Sequence, residues 1–159
     1  MGSVKLEQSQ KVENDQERGR EITERGSEKL EEAEVSRNAI DQIEIVDDDD
    51  KAAVDTAMTT SEGIAKSIAE SEIKEPGREV GESLKETSEE STEYGETETE
   101  GADKASEMVG DFSDVGGNLA SELQQRAQEF QEIASQSDQV HDQLESEYEQ
   151  ISAALEGVF

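Results

Sequence analysis

The chain of 159 residues carries 43 acidic against 14 basic side chains, a formal charge of −29, and only 3% aromatic residues. That balance excludes binding to nucleic-acid phosphates, which takes lysine and arginine, and disfavours docking on anionic membranes. The absence of cysteine excludes disulfides, thiolate nucleophiles and cysteine-bound metal clusters.

Leu, Ile, Val and Phe together supply 29 of the 159 residues, below the roughly 20% under which a highly charged chain tends toward disorder or extended helix. An elongated helical form spreads like charges apart, whereas a rounded globule concentrates them. The acidity keeps the chain soluble, and its second reading is mimicry of nucleic acid toward a basic protein. The N-terminus, Met1-Gly2-Ser3-Val4-Lys5, lacks the apolar run of a signal peptide, and no stretch reaches membrane-spanning length. The expectation is a cytoplasmic protein, or one exported without a cleaved signal, that does not insert into membranes.

Residues 1–29 form a loosely ordered or helical arm with a sparse apolar beat at Val12 and Ile22. Gly19 and Gly26 fall on the stripe of Val12, Ala33 and Ile40, and each costs about 1 kcal/mol relative to alanine inside a helix. They mark either loose order or a close approach of another backbone. Residues 30–74 read as a helical segment, denser in apolar residues from Leu30 through Val35, Ile40, Ile43, Ile45 and Val46, with a break near 47–50. Ile43 and Ile45 alternate with Gln42 and Glu44, so a short extended link can precede the break. Asp47-Asp48-Asp49-Asp50 suits the start of a second helix, where carboxylates cap free amides and meet the positive dipole end. That spacing does not fit a calcium loop. With Lys51 it matches the recognition sequence of enteropeptidase, which implies a cleavage site wherever the segment is exposed. The second helix is predicted from about Asp50 to Lys74, supported by Glu62–Lys66 and Glu70–Lys74 pairs.

Glu75-Pro76-Gly77 reads as its end. Residues 75–107 hold 12 acids against 3 bases, with Val80 and Leu84 as the only large aliphatics, so 75–101 reads as a flexible acidic linker. The helical C-terminal region, 102–159, starts with a short amphipathic helix from Ala102 to Val115, broken by Gly116-Gly117. Asn118 then caps a final helix that Gly157 ends.

That final helix carries the strongest pattern in the chain. Leu119, Leu123, Phe130, Ile133, Val140, Leu144, Ile151, Ala154 and Val158 lie on one heptad-spaced seam, widened by Ala127, Ala134, His141, Tyr148 and Leu155. Arg126, Ser137 and Glu147 interrupt it. A helix of that length, about 60 Å, cannot leave such a seam in water and must meet another apolar surface. The surface is either residues 30–73 of the same chain or another protein. In the second case, or in self-association, Leu119, Leu123, Phe130, Ile133, Val140, Leu144, Tyr148, Ile151 and Leu155 form the partner interface. His141 is the sole histidine and reads as structural. No carboxylate lies among aromatics that could separate two pKa values, and no phosphate loop or metal-ligand spacing is present. The chain therefore reads as non-enzymatic, with no cofactor.

From Ala102 to Phe159 the sequence resembles the small WXG-type helical proteins of type VII secretion and their effector partners. The resemblance rests on Asp114-Val115-Gly116-Gly117-Asn118 as the turn, and on Phe130-Gln131-Glu132-Ile133 and Tyr148-Glu149-Gln150-Ile151 in the following helix. No tryptophan stands at the turn; Tyr94-Gly95-Glu96-Thr97-Glu98 matches the Tyr-x-x-x-acid export pattern. The resemblance implies two helices joined by a tight turn, and escort of a larger effector. The fold expected is all-α: an elongated antiparallel hairpin or small coiled-coil bundle with a flexible acidic linker. The expected function is that of a non-catalytic interaction protein, a secretion partner or targeting chaperone, with a coiled-coil scaffold as the alternative.

Overall fold

The computed structural model describes residues 2–159. The described residues form α1 (Gly2–Asp41), α2 (Asp48–Ile68), a π-helical turn (Ala69–Lys74), α3 (Glu75–Ser106), a 3-10 turn (Gly110–Phe112) and α4 (Ser113–Glu156), with no strand among them. The protein is all-α. It divides into two compact units: one takes residues up to Gln16 together with Glu82–Asp142, the other Glu17–Gly81 together with Gln143–Phe159.

In the first unit α3 and α4 run antiparallel. The hydroxyl of Ser137 donates to the carbonyl of Leu84 at 2.6 Å, Gly95 abuts Ala127, Gly101 abuts Leu123, and Gly116 abuts Ala105. The start of α1 lies on this pair through Gln8, whose amide donates to the Ser91 hydroxyl at 3.1 Å, and through a salt bridge from Lys5 to Glu129. Small side chains fill the space between the helices: Ala102, Ala105 and Ala120 form one cluster with Leu123 against it. Ser91 and Ser137 are as fully enclosed as Leu84. A thin supply of large aliphatics suffices because closely spaced helices need little side-chain volume to exclude water.

In the second unit α1 runs parallel to α4. Gly19 lies against Leu144, Gly26 against Ile151, and the Arg37 guanidinium donates to the Val158 carbonyl at 3.1 Å. The end of the π turn and the start of α3 run antiparallel to α4: Lys74 pairs with Glu156 at 3.0 Å and Gly77 lies against Tyr148. The bond to Glu156 and its charge raise the Lys74 pKa above its ordinary value. A raised lysine pKa stabilises the fold below the unfolded value and loses that contribution as pH rises through the folded one. The core here is Ile22, Ile73, Val80, Leu144, Tyr148 and Leu155.

Four expectations change. Residues 1–29, left open between loose and helical, are helical from Gly2 onward as part of α1, and buried positions 8, 12, 15, 19, 22 and 26 recur at alternating steps of four and three. The stretch 75–101, expected as a flexible linker, lies within α3, and its Val80, Leu84, Thr87, Ser88 and Ser91 are buried. Pro76 does not end the helix. The preceding turn is π, with the Glu75 amide reaching back five residues to the Glu70 carbonyl, so the ladder is already widened where proline lacks a donor and needs room for its ring. The same turn serves the core. Buried positions 65, 69, 73 and 77 follow at steps of four, which an α-helix spreads around its circumference and a wider turn keeps on one face. Finally, Gly116-Gly117 does not break the chain. Both lie inside α4, and the turn falls earlier, at Glu107–Gly110, where Gly110 takes the one positive φ, 68°, among the described residues.

The aspartate run does cap a helix. Asp47 is the N-cap of α2, its carboxylate accepting from the Asp50 amide at 2.9 Å, while the Asp50 carboxylate accepts from the Val46 amide at 3.0 Å. This is a reciprocal box that satisfies two amides. Asp47→Ala should cost about 1 kcal/mol in chemical denaturation, whereas Asp49→Asn, outside the box, should cost a few tenths at most.

Candidate interaction surface

The nine seam residues set out as a partner interface are largely used up inside the chain. Phe130, Ile133, Leu144, Tyr148 and Leu155 are buried, Leu123, Val140 and Ile151 are half-buried, and Leu119 alone is exposed. The structure thus covers the seam with the chain's own α1 and α3. The sequence offered residues 30–73 as the internal cover. That range supplies buried Ala65, Ala69 and Ile73 and the Arg37 bond to the Val158 carbonyl, while Gln8, Val12, Ile22, Val80 and Leu84 come from segments read as arm and linker.

Two of the polar interruptions also find places. Ser137 bonds across to α3, and Arg126 pairs along its own helix with Glu122 at 2.9 Å. His141 is half-buried on α4, one ring nitrogen 3.3 Å from an Asp142 carboxylate oxygen. A shallow cleft of about 280 Å³ in the first unit is lined by Lys5, Glu98, Glu122, Gln125, Arg126, Glu129 and Phe130. Its two cations are matched to acids, Lys5 to Glu129 and Arg126 to Glu122. Glu98 is left as a net negative charge on the lining, and neither cation is left over to hold an anionic substrate.

Large apolar residues are exposed on helix faces at Leu6, Val35 and Ile64, but the most exposed of all, Val46 and Val109, sit at the connections between helices. In the second unit the link between α1 and α2 exposes Ile43, Ile45 and Val46. Their backbone is neither helical nor turned from residue 43 to residue 46. In the first unit the link between α3 and α4 exposes Val109 and Phe112, followed by Val115 on α4. Val109 is extended, and the Phe112 amide donates to its carbonyl at 3.4 Å, closing the 3-10 turn that holds the aromatic ring outward. Water-facing links in helical proteins are ordinarily polar, so each group is a local departure from the rule that governs the rest of the chain.

The sequence did name Ile43 and Ile45 as alternating, but as a link and not as a surface. Its short amphipathic helix from Ala102 to Val115 takes in Val109, Phe112 and Val115, whereas α3 ends at Ser106. The signal that was available is Gly110, in the run Val109-Gly110-Asp111-Phe112, at a place where Gly116-Gly117 drew the turn away. No helix among the described residues is long and apolar enough to cross a membrane. Comparison with protein-family models, curated proteins and solved structures found no match to this chain.

Proposed function

We propose that the protein is a non-catalytic helical interaction protein that engages another protein through the apolar links between its helices. The observation that carries this reading is the location of its three most exposed large apolar residues, Val46, Val109 and Phe112, at the links. The helical seams close on themselves, while Val109 at 78% exposure and Phe112 at 65% stand in water on a connection short enough to hold them in place. Aromatic and aliphatic anchors on a rigid turn are the usual centres of binding energy in protein interfaces. The formal charge of −29 opposes pairing with a second copy, which weighs against the self-assembling scaffold. Escort of a larger effector is one form of this reading, and it draws on the likeness of the helix containing Phe130–Ile133 and Tyr148–Ile151 to type VII secretion partners.

Light scattering on the full chain purified from its own cells tests the reading. The expected mass is that of one chain plus a stoichiometric partner, and Phe112→Asp should release the partner while leaving helicity unchanged. A homo-oligomer, or a partner retained by Phe112→Asp and Val46→Asp alike, would overturn it.

A further inference from the structure

We propose that the link between α1 and α2 is a strand donor: Ile43-Glu44-Ile45-Val46 adds to the open edge of a β-sheet in a partner protein, beside lysine or arginine side chains. This rests on the interaction reading above and names the partner class for one of the two links.

The composition of the link is the first ground. Three of its four residues are β-branched aliphatics, the types that best fit a pleated strand, at a place where a helix-to-helix connection is normally built from Gly, Asn or Ser. They are also well exposed, at 50% for Ile43, 51% for Ile45 and 78% for Val46. Nothing in the fold of this chain uses their apolar surface fully.

The backbone is the second ground. Residues 43–46 lie outside any helix. The Ile43 amide bonds to the Ile40 carbonyl at 3.1 Å, and the Val46 amide to the Asp50 carboxylate at 3.0 Å. Between these two anchors the amides of Glu44 and Ile45 make no backbone hydrogen bond among the described residues. The segment is thus tethered at both ends and open in the middle. In an extended segment Ile43 and Ile45 project to one side and Glu44 to the other, so an added strand would seat two isoleucines on the partner sheet. Main-chain bonds supply affinity in this mode and the alternate side chains supply specificity.

Charge decides what the edge must carry. Asp47, Asp48 and Asp49 are exposed just after the link and Glu44 within it, with no base before Lys51. A second copy would bring the same acids against these and be repelled. An anionic membrane would be repelled for the same reason. A sheet edge bordered by cations is complementary, and the attraction sets both the on-rate and the end at which the aspartates lie.

A photo-crosslinking residue in place of Glu44, in the full chain made in its own cells, provides the test. The expected adduct maps to an edge strand of one protein with Lys or Arg beside it. Ile45→Asp should cut its yield by about tenfold or more, with helicity unchanged because Ile45 is exposed. Asp48→Asn with Asp49→Asn should weaken capture and flatten its salt dependence. No adduct from position 44, or one on a helix, a second copy or lipid, would overturn the strand proposal. A parallel crosslinker at Phe112 separates the two readings. An adduct there with none at position 44 leaves the interaction protein standing and removes the strand, and adducts at neither remove both.

Discussion

Tyr148→Ala should lower stability by about 3–5 kcal/mol, the range for removing a buried aromatic ring. The ring lies between two glycines on different helices, Gly19 of α1 and Gly77 of α3. A Cβ added at Gly77 would come within 2.6 Å of the Tyr148 ring, and one at Gly19 within 2.8 Å of its hydroxyl oxygen. Gly77 makes room for the ring alone, and Gly19 for the Leu144 side chain and the tyrosine hydroxyl together. Gly77→Ala gains up to about 1 kcal/mol of helix propensity, but forces a packed ring aside at about 1–3 kcal/mol. The expected net is destabilisation. Gly63, on α2, has nothing within 4 Å of such an atom, so Gly63→Ala should stabilise by about 0.5–1 kcal/mol. Paired with Tyr148→Ala, the Gly77 substitution should lose its penalty and turn favourable, a coupling that distant sites do not show. Urea unfolding followed by circular dichroism reads all four. If Gly63→Ala and Gly77→Ala move the midpoint the same way, the glycine slot is not there.

That slot also shows where the sequence was legible. The all-α class, the seam of α4, the cap at Asp47 and the regular spacing of Val12, Gly19 and Gly26 were all readable, because each is a local period or a local hydrogen bond. The reading failed at Pro76-Gly77 and Gly116-Gly117, where residues of turn type do another job. Gly116 is needed because the Ala105 carbonyl and the Met108 side chain press on it, a Cβ there coming within 2.7 Å of the Met108 Cβ. Gly77 is needed for Tyr148, 71 positions on. Close approach between helices and a tight turn ask for the same residue, and only the partner element tells them apart.

The acidic stretch 75–101 failed for a related reason. Its inner face is Val80, Leu84, Thr87, Ser88 and Ser91, too small and too polar to register as a hydrophobic period. Thr87, Thr92, Thr97 and Thr99 each return their hydroxyl to the carbonyl four residues back. Polar side chains satisfied within their own helix can face a neighbour without an unpaired donor. A helix of this kind looks like a linker in composition and behaves as a core element once two other helices lie against it. The exposed links were hidden in the same way: apolar residues at a link carry no period, so Phe112 reads as part of a helix from Ala102 to Val115, whereas it stands in the turn after α3 ends at Ser106.

The second large effect separates an internal seam from an intermolecular one. Ile133→Asp and Leu144→Asp each place a carboxylate among packed side chains, in positions only 5% and 6% exposed. The expected cost is about 3–5 kcal/mol in each case, the order measured when a buried charge is left uncompensated. Leu119→Asp, at a seam position 42% exposed, should stay within about 0.5 kcal/mol of the parent. Because burial raises the pKa of an introduced carboxyl group, the penalty relative to the parent should shrink as pH falls and the group takes up its proton. The isolated chain is the informative sample. If the seam closes within one molecule, Ile133→Asp and Leu144→Asp lose helicity and unfold early with no partner present. If it were an interface to another protein, both would keep their helicity alone and fail only in binding. Buried Phe130 and Leu155, with Tyr148 held between Gly19 and Gly77, argue for the first outcome, and that outcome leaves the links at Ile43–Val46 and Val109–Phe112 as the surfaces free to act.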